Sequence, residues 1–424
     1  MLFIYNMTSE SKNICNFVSF LDYKTIDFTN FKRFFNGNDF NDETVNKLNL
    51  SLKYKENFYT LKYKKECLNV NNKENLGIFR SVLFNNYDLI CFSPTKSIEE
   101  EEFFKKVNLY NCQVEELVEG TMINCFFDKH SKKWELTTKS IVGAETSFTK
   151  GGKSFKKMFE EAFQRHNLTW DVFNREYIYS FVLQHPENKI VTIIAEPTLY
   201  LVDVFYVSNT SNSTKVHYVD FRNENNIAPI IEFVNTPTKI DIQNKDMTNI
   251  KTLYSSNNTP YSTMGIVFKY GFYRYKLRNP SYEYLKKLKG NNPKLQYQYL
   301  SLRKEGKVKE FLRYFPNYKE TFGIFRNQLH NVTANLWNNY ISCYVEHDAP
   351  LRDYGYQYRP HMIALHSDYL NKYLHEKRCI TRQVAINYIN NLEVPRLMYL
   401  INYNVLRRNV DTSKAGHRLN QKRE

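Results

Sequence analysis

Local signatures of the common catalytic classes are missing from this sequence. It contains no Walker-type phosphate loop, no GxGxxG, no HExxH and no GxSxG, so neither a dinucleotide fold, a zincin nor a serine hydrolase elbow can be read from it. The 7 cysteines, at positions 15, 67, 91, 112, 125, 343 and 379, are odd in number, widely spread and never in a CxxC pair. A thiolate zinc site and a disulfide framework are therefore unsupported, and reduced thiols in a cytosol are the expectation. Long apolar runs are absent as well. The most apolar stretch, 190–207, is broken by Glu196, Pro197 and Asp203, so it is expected to form two buried strands with a turn rather than a membrane span. The first residues lack a basic leader with an apolar core and a small-residue cleavage site, and secretion is not expected. What is abundant is positive charge and aromatic surface. Lys+Arg 59 against Asp+Glu 44 leaves +15, and 33 Tyr with 31 Phe supply core material that excludes a wholly disordered chain of 424 residues. An AT-rich coding sequence accounts for part of the lysine, and the remaining excess favours an anionic partner.

From the start to about residue 285 the pattern is that of strands. Short apolar or aromatic runs at 87–92, 122–127, 134–138, 177–183, 190–195, 199–207 and 266–275 alternate with Asn, Gly, Pro and Lys-rich breaks, which predicts an antiparallel-rich α+β domain. One helix is predicted within it, at 154–165, where Phe155, Met158, Phe159 and Phe163 share a face that reads as core. After about Pro280 apolar residues recur at three- and four-residue spacing between Gly, Pro and Asn breaks, predicting a helical domain. The boundaries expected are 1–285 for the α+β domain, 286–403 for the helical domain and 404–424 for a basic flexible tail.

Three segments carry the chemistry. The first is FSPTKSI at 92–98 followed by EELVEGTMINCFFDKHSKKWELTTKSIVGA at 115–144, with Lys96, the triplet Glu119, Gly120, Thr121, the pair Lys139, Ser140, and Gly143. The second is SFVLQHPENKIVTIIAEPTLYLVDV at 180–204, and the third MGIVFKYGFYRYKLRNPSY at 264–282. In this order and spacing they resemble the covalent nucleotidyltransferases, and among them the RNA ligases of the bacteriophage type, over roughly residues 75–285. The resemblance implies an ATP-grasp-like ligase domain in which a lysine attacks the α-phosphate of a nucleoside triphosphate. ATP or GTP with Mg²⁺ is the cofactor it implies for an active enzyme; the residues by themselves assign none. The composition and this form of the motifs also resemble proteins encoded by large DNA viruses, which implies the host cytoplasm or a viral factory.

The departures from that family are systematic. Leu117 stands where the family has its nucleophilic lysine, and no lysine occurs in the eight residues before Gly120. Val182 and Met264 stand where it has carboxylates that face the nucleotide, groups of the type that hold a divalent metal or ribose hydroxyls. The phosphate side survives in Lys96, Lys139, Lys276 and Arg278, the last two on one face of a predicted strand. With Glu119 and Gly120 these are the expected nucleotide- or phosphate-binding residues. Three readings remain open: a ligase-like pseudoenzyme binding RNA or a nucleotide; an active ligase with Lys96 or Lys139 as displaced nucleophile and Glu116, Glu119 or Glu196 as substitute carboxylates; and a scaffold or virion protein reusing the fold.

Plainer roles compete for each residue. Lys96 and Lys139 also read as surface lysines, Gly120 and Gly265 as turn or bulge glycines, and 186–189 as a turn with His185 beside it. The acidic run 99–102 reads as the first turn of a helix. His361 and His366 are five apart and share no helical face, so no metal site is expected. In the helical part Lys286, Lys287, Lys289, Arg303, Lys304 and Lys307, with Lys294, Lys309 and Arg313 nearby, interleave with Tyr282, Tyr284, Tyr297 and Tyr299. That pattern suits phosphate contacts and base stacking on RNA, and equally a solvated helix face.

Overall fold

Period-two apolar runs pair into fourteen strands in the computed structural model, which describes residues 14, 17–36, 41–149, 151–243 and 245–408, the side chains of 36 and 406–408 excepted. The chain divides after Lys287 into two compact units. The first holds three sheets. One has the spatial order β1 (Ser19–Asp22), β2 (Thr25–Asp27), β12 (Thr214–Val219), β11 (Thr198–Asn209), β10 (Tyr177–Gln184), β8 (Thr121–Asp128), β9 (Lys133–Thr137). A second runs β3 (Leu50–Lys55), β4 (Phe58–Tyr63), β5 (Val82–Asn85), β6 (Asp88–Phe92), and a third β14 (Tyr273–Arg278), β13 (Gly265–Tyr270), β7 (Gln113–Glu116). All the ladders between these strands are antiparallel. The fold class is thus α+β with antiparallel sheets and a helical C-terminal region, as the sequence predicts.

The central strands read as near-continuous apolar runs because both of their faces are covered. On β10, Tyr179, Phe181 and Leu183 face a core shared with the helix Phe155–Arg165, while Ile178 faces a second core with Phe28, Phe31, Phe79, Phe92 and Phe126. The Ser154 side chain accepts from the Lys157 N–H at 3.2 Å and so starts that helix. A third core under β13 and β14 joins Ile98, Phe103, Val114, Phe268 and Tyr275. The predicted acidic helix start is present: the helix spans Glu100–Lys106 after Glu99.

Two expectations fail locally. The apolar run 190–195 forms no strand; β11 begins at Thr198 and 185–197 is a long connection. The physical reason is the Glu119 carboxylate, which takes the backbone N–H groups of Ile190, Val191 and Thr192 that a ladder would need. Residues 404–408, expected to open a flexible tail, instead complete the helix Val394–Arg408; the rest of that expected tail lies outside the described residues.

The second unit is helical among the described residues. Its longest helix, Lys319–Tyr344, buries Phe322, Leu329, Val332, Leu336, Tyr340 and Cys343 at three-, four- and seven-residue intervals. Gly306, at φ +72°, ends the helix Leu295–Lys304 in the left-handed conformation that glycine adopts without strain. Among the described residues no helix is long and apolar enough to cross a membrane.

Candidate anion-binding site

The stretch between β7 and β8 is where the sequence motifs lead one to expect a nucleophile. Here Leu117 donates its backbone N–H to the Gly265 carbonyl at 2.9 Å, tying this stretch to the start of β13. Glu119 is 4% exposed and is committed to the 185–197 connection: it accepts from the N–H groups of Ile190 (3.0 Å), Val191 (3.0 Å) and Thr192 (3.1 Å). Three N–H donors on one carboxylate make a structural clasp rather than an open ligand group. Gly120 has φ +152°, and a Cβ there would lie 2.5 Å from the Leu183 carbonyl; at Gly265, φ is +127° and a Cβ would lie 2.2 Å from the Leu277 carbonyl. Both glycines therefore let two protein backbones approach each other, where the sequence reading expects an approach to a nucleotide.

The cations are gathered by β14 and the segments beside it. Arg274, Lys276 and Arg278 alternate on one face of β14, with Lys276 opposite Val267 and Arg274 opposite Lys269 on β13. The segment after β6 runs alongside, since Ile98 donates to the Arg274 carbonyl at 2.9 Å and Thr95 Oγ1 to the Phe272 carbonyl. That alignment brings Lys96 to the Lys276 side. Lys139 sits in the turn after β9, with its ammonium 4.6 Å from the ring centroid of Tyr63 on β4. Arg80, just before β5, reaches the Pro94 carbonyl at 3.5 Å.

These groups depress one another. Burial holds the Lys276 ammonium well below its ordinary value, reinforced by repulsion from Arg274, Arg80, Arg278 and Lys96. Burial pulls Lys139 down to about 8, with Arg80, Lys62, Lys96 and Lys65 adding to the effect. Lys96 is lowered by burial and then by Lys73, Arg80 and Arg278. Burial and Arg274 bring Arg80 down to about 10, so it stays charged at neutral pH. Among the described residues neither Lys96 nor Lys276 has a side-chain hydrogen bond or an ion pair. Arg278 is exposed and pairs with Glu283, and Lys73 with Glu99.

A paired layer adjoins this unpaired one. Lys269 lies between Glu115 (2.8 Å) and Asp203 (3.2 Å), Arg274 reaches Asp203 at 2.8 Å, and Arg222 reaches Glu115 at 3.0 Å. Lys269, Glu115 and Asp203 are each no more than 2% exposed. Of the proposed substitute carboxylates, Glu116 accepts from the Thr238 N–H and hydroxyl, Glu119 is the clasp just described, and Glu196 pairs with Arg165. Val182 is buried on β10 and Met264 precedes β13, so both of these positions carry apolar side chains.

Of the expected site residues, Lys96, Lys139, Lys276 and Arg278 are electrostatically coupled, with Arg80 linked to all four. Glu119 and Gly120 make structural contacts with the 185–197 connection and with β10. Sequence reasoning missed Arg80, whose approach depends on the 95–98 segment and has no local signal. It also missed Arg274, which the period-two spacing to Lys276 would have revealed. The expected RNA-binding residues fall in both units. Lys286 lies 3.9 Å from Glu283, and Lys287, at the end of the first unit, is exposed. In the second unit Lys289 lies over Phe315, Arg303 reaches Asn390, Lys304 pairs with Glu393 and Lys307 with Glu305. His361 meets the Tyr388 hydroxyl at 2.8 Å, and no cluster of metal-ligating side chains occurs among the described residues. Two cavities, of about 290 and 710 Å³, lie elsewhere and share Glu176, Tyr177 and Tyr206; their mixed acidic and basic linings set them apart from the cation cluster.

No protein-family model matches the chain. Over 245 residues it is 23% identical to the immediate-early protein ICP-46 homolog of Invertebrate iridescent virus 3, covering 54% of this chain and 50% of that protein. The match thus spans half the length of that curated relative. Among solved structures, a Naegleria gruberi RNA ligase mutant with ATP and Mn is 13% identical over 45% of this chain and 57% of that one, with a TM-score of 0.33. An archaeal ATP-dependent RNA ligase is 11% identical over 67% of this chain and 69% of that one, also with a TM-score of 0.33.

Proposed function

We propose that this chain is a ligase-like protein that binds a polyphosphate, as a nucleotide or the 5′ end of an RNA, and has lost lysyl-nucleotide chemistry at the position its motifs imply. The observation that carries this reading is the group Arg80, Lys96 and Lys276, half-buried, with the exposed Lys139 beside them, cations whose mutual repulsion exceeds the attraction of Asp203 for Arg80 and of Glu99 for Lys96. Gathering charges in this way is costly without a counter-charge, and several closely spaced cations match the oxygens of a phosphate chain. Leu117 supports the second half of the reading, because a hydrocarbon side chain cannot form a phosphoramidate.

One observation favours a second reading. With its ammonium depressed to about 8, Lys139 is partly neutral at physiological pH and hence nucleophilic. In that reading its Nζ forms a bond to the α-phosphorus, the bond from that phosphorus to the bridging oxygen breaks, pyrophosphate leaves and the amine proton passes to solvent.

Intact mass after incubation with Mg²⁺ and ATP, or GTP, separates the two. Unchanged mass, under conditions that label an active ligase, is the expected result; a gain of one nucleoside monophosphate mapped to Lys139 establishes the second reading. Binding is tested with 5′-phosphorylated single-stranded RNA. Each phosphate neutralised should steepen the slope of log K against log salt by roughly 0.7, and joint replacement of Lys96, Lys139, Lys276 and Arg278 by Ala should abolish the interaction. A scaffold role predicts a protein partner whose binding ignores those four residues.

A further inference from the structure

Ligases of the resembled family work on a nucleoside triphosphate with a divalent cation, so the donors available for such a cation can be tested here. Mg²⁺ takes near-octahedral oxygen ligands and enters protein sites through one or two carboxylates together with the phosphates. The carboxylates beside β7, β13 and β14 are already engaged in ion pairs or backbone hydrogen bonds among the described residues. Glu115 and Asp203 neutralise Lys269, Arg222 and Arg274. Glu119 is filled by three backbone N–H groups, and Glu116 by Thr238. Glu283 holds Arg278 and Glu99 holds Lys73. The groups left without a hydrogen bond or ion pair are ammonium groups, Lys96, which feels Glu99 only at longer range, and Lys276, and they stand beside Arg80 and Arg278. The donor set does not fit a divalent cation, and the surrounding positive charge repels one.

We infer that this cation cluster takes its polyphosphate without a divalent cation, with the guanidinium and ammonium groups of Arg80, Lys96, Lys139 and Lys276 standing in for the metal. This rests on the phosphate-binding reading above and adds to it the ionic form of the ligand. A bare triphosphate carries more negative charge than its Mg²⁺ complex and leaves its oxygens open to N–H donors. Arg80 supplies a planar fork suited to two oxygens at once, while the lysines act as point charges along the chain. Mg²⁺ in solution then competes with the protein for the ligand.

The test is calorimetric titration of the whole chain with sodium tripolyphosphate, once in EDTA and once in excess Mg²⁺. The inference predicts an affinity in EDTA equal to or tighter than in Mg²⁺, reduced at least tenfold by Lys276→Met and by Lys139→Met. Tighter binding in Mg²⁺, or binding only there, overturns the metal-free site and leaves the phosphate-binding reading standing. No binding under either condition overturns that reading and the inference with it. Binding in EDTA that both variants leave unchanged, each shown folded by circular dichroism, also overturns it, because the anion then sits elsewhere. A second arm replaces tripolyphosphate with ATP or with a 5′-triphosphorylated oligoribonucleotide in EDTA. Whichever binds more tightly than tripolyphosphate identifies the molecule that carries the phosphates and supports the inference; failure of both to bind in EDTA overturns it.

Discussion

Arg274 and Lys276 stand two residues apart on the same face of β14, yet they belong to different regimes. Arg274 lies in a layer where Asp203 and Glu115 answer the charges of Lys269, Arg222 and Arg274. Lys276 faces Arg80, Lys96 and Arg278, with no carboxylate partner. Buried charge that is paired is part of the architecture; the half-buried, unpaired charge on the same strand is where we propose that a ligand binds. The step between them is one strand repeat, from Arg274 in the paired interior to the half-buried Lys276.

The sharpest way to break this contrast is to unpair the paired layer. Asp203→Ala strips Lys269 and Arg274 of a counter-charge they share, and the protein should lose about 3–5 kcal/mol in urea unfolding; a loss under 1 kcal/mol would mean the layer is not a structural element. Next in size is Glu119→Gln, which replaces a carboxylate accepting three backbone N–H groups by an amide with a single acceptor oxygen. A loss of about 1–3 kcal/mol is expected, with faster proteolysis confined to 185–197. Opposite in sign is Lys276→Met in phosphate-free buffer. Removing an uncompensated half-buried cation while keeping side-chain volume should stabilise the ligand-free protein by about 1 kcal/mol, roughly 1–2 °C in Tm.

The smallest effect is a dependence on pH. Lys139 titrates at about 8 in the fold against 10.5 for the ordinary side chain, so between those values the unfolded chain binds more protons and stability rises with pH. The groups that face it are Arg80, Lys62, Lys96 and Lys65, with the Tyr63 ring below. Lys139→Met removes this contribution. Its stability advantage over the parent chain should therefore be largest near pH 7 and shrink toward pH 9.5, a double difference that cancels the buried thiols and tyrosines both proteins share. A constant advantage across that range would show that Lys139 is not held down by its neighbours.

Much of this was legible in the sequence, and the failures have physical causes. Three- and four-residue spacing revealed the helical region, and period two put Lys276 and Arg278 on one face because strand geometry depends only on neighbours along the chain. The run 190–195 looked like a strand because its side chains are apolar; what decides its conformation is a carboxylate seventy residues earlier, Glu119. Arg80 was invisible for a similar reason. Its place beside Lys276 depends on Ile98 lying along β14, a contact between segments 176 residues apart that leaves no local pattern. The fate of Arg303 and Lys304, turned toward Asn390 and Glu393, was likewise a matter of helix packing rather than of helix composition.

The central claim is that the cations around Lys276 are unpaired because a polyphosphate pairs them. Thermal unfolding of the parent chain and of Lys276→Met, each with and without tripolyphosphate in EDTA, tests it most directly. The variant should melt higher without the anion, and the order should reverse at saturating anion, since only the parent chain gains the full binding energy. An order that stays the same with and without the anion would contradict it.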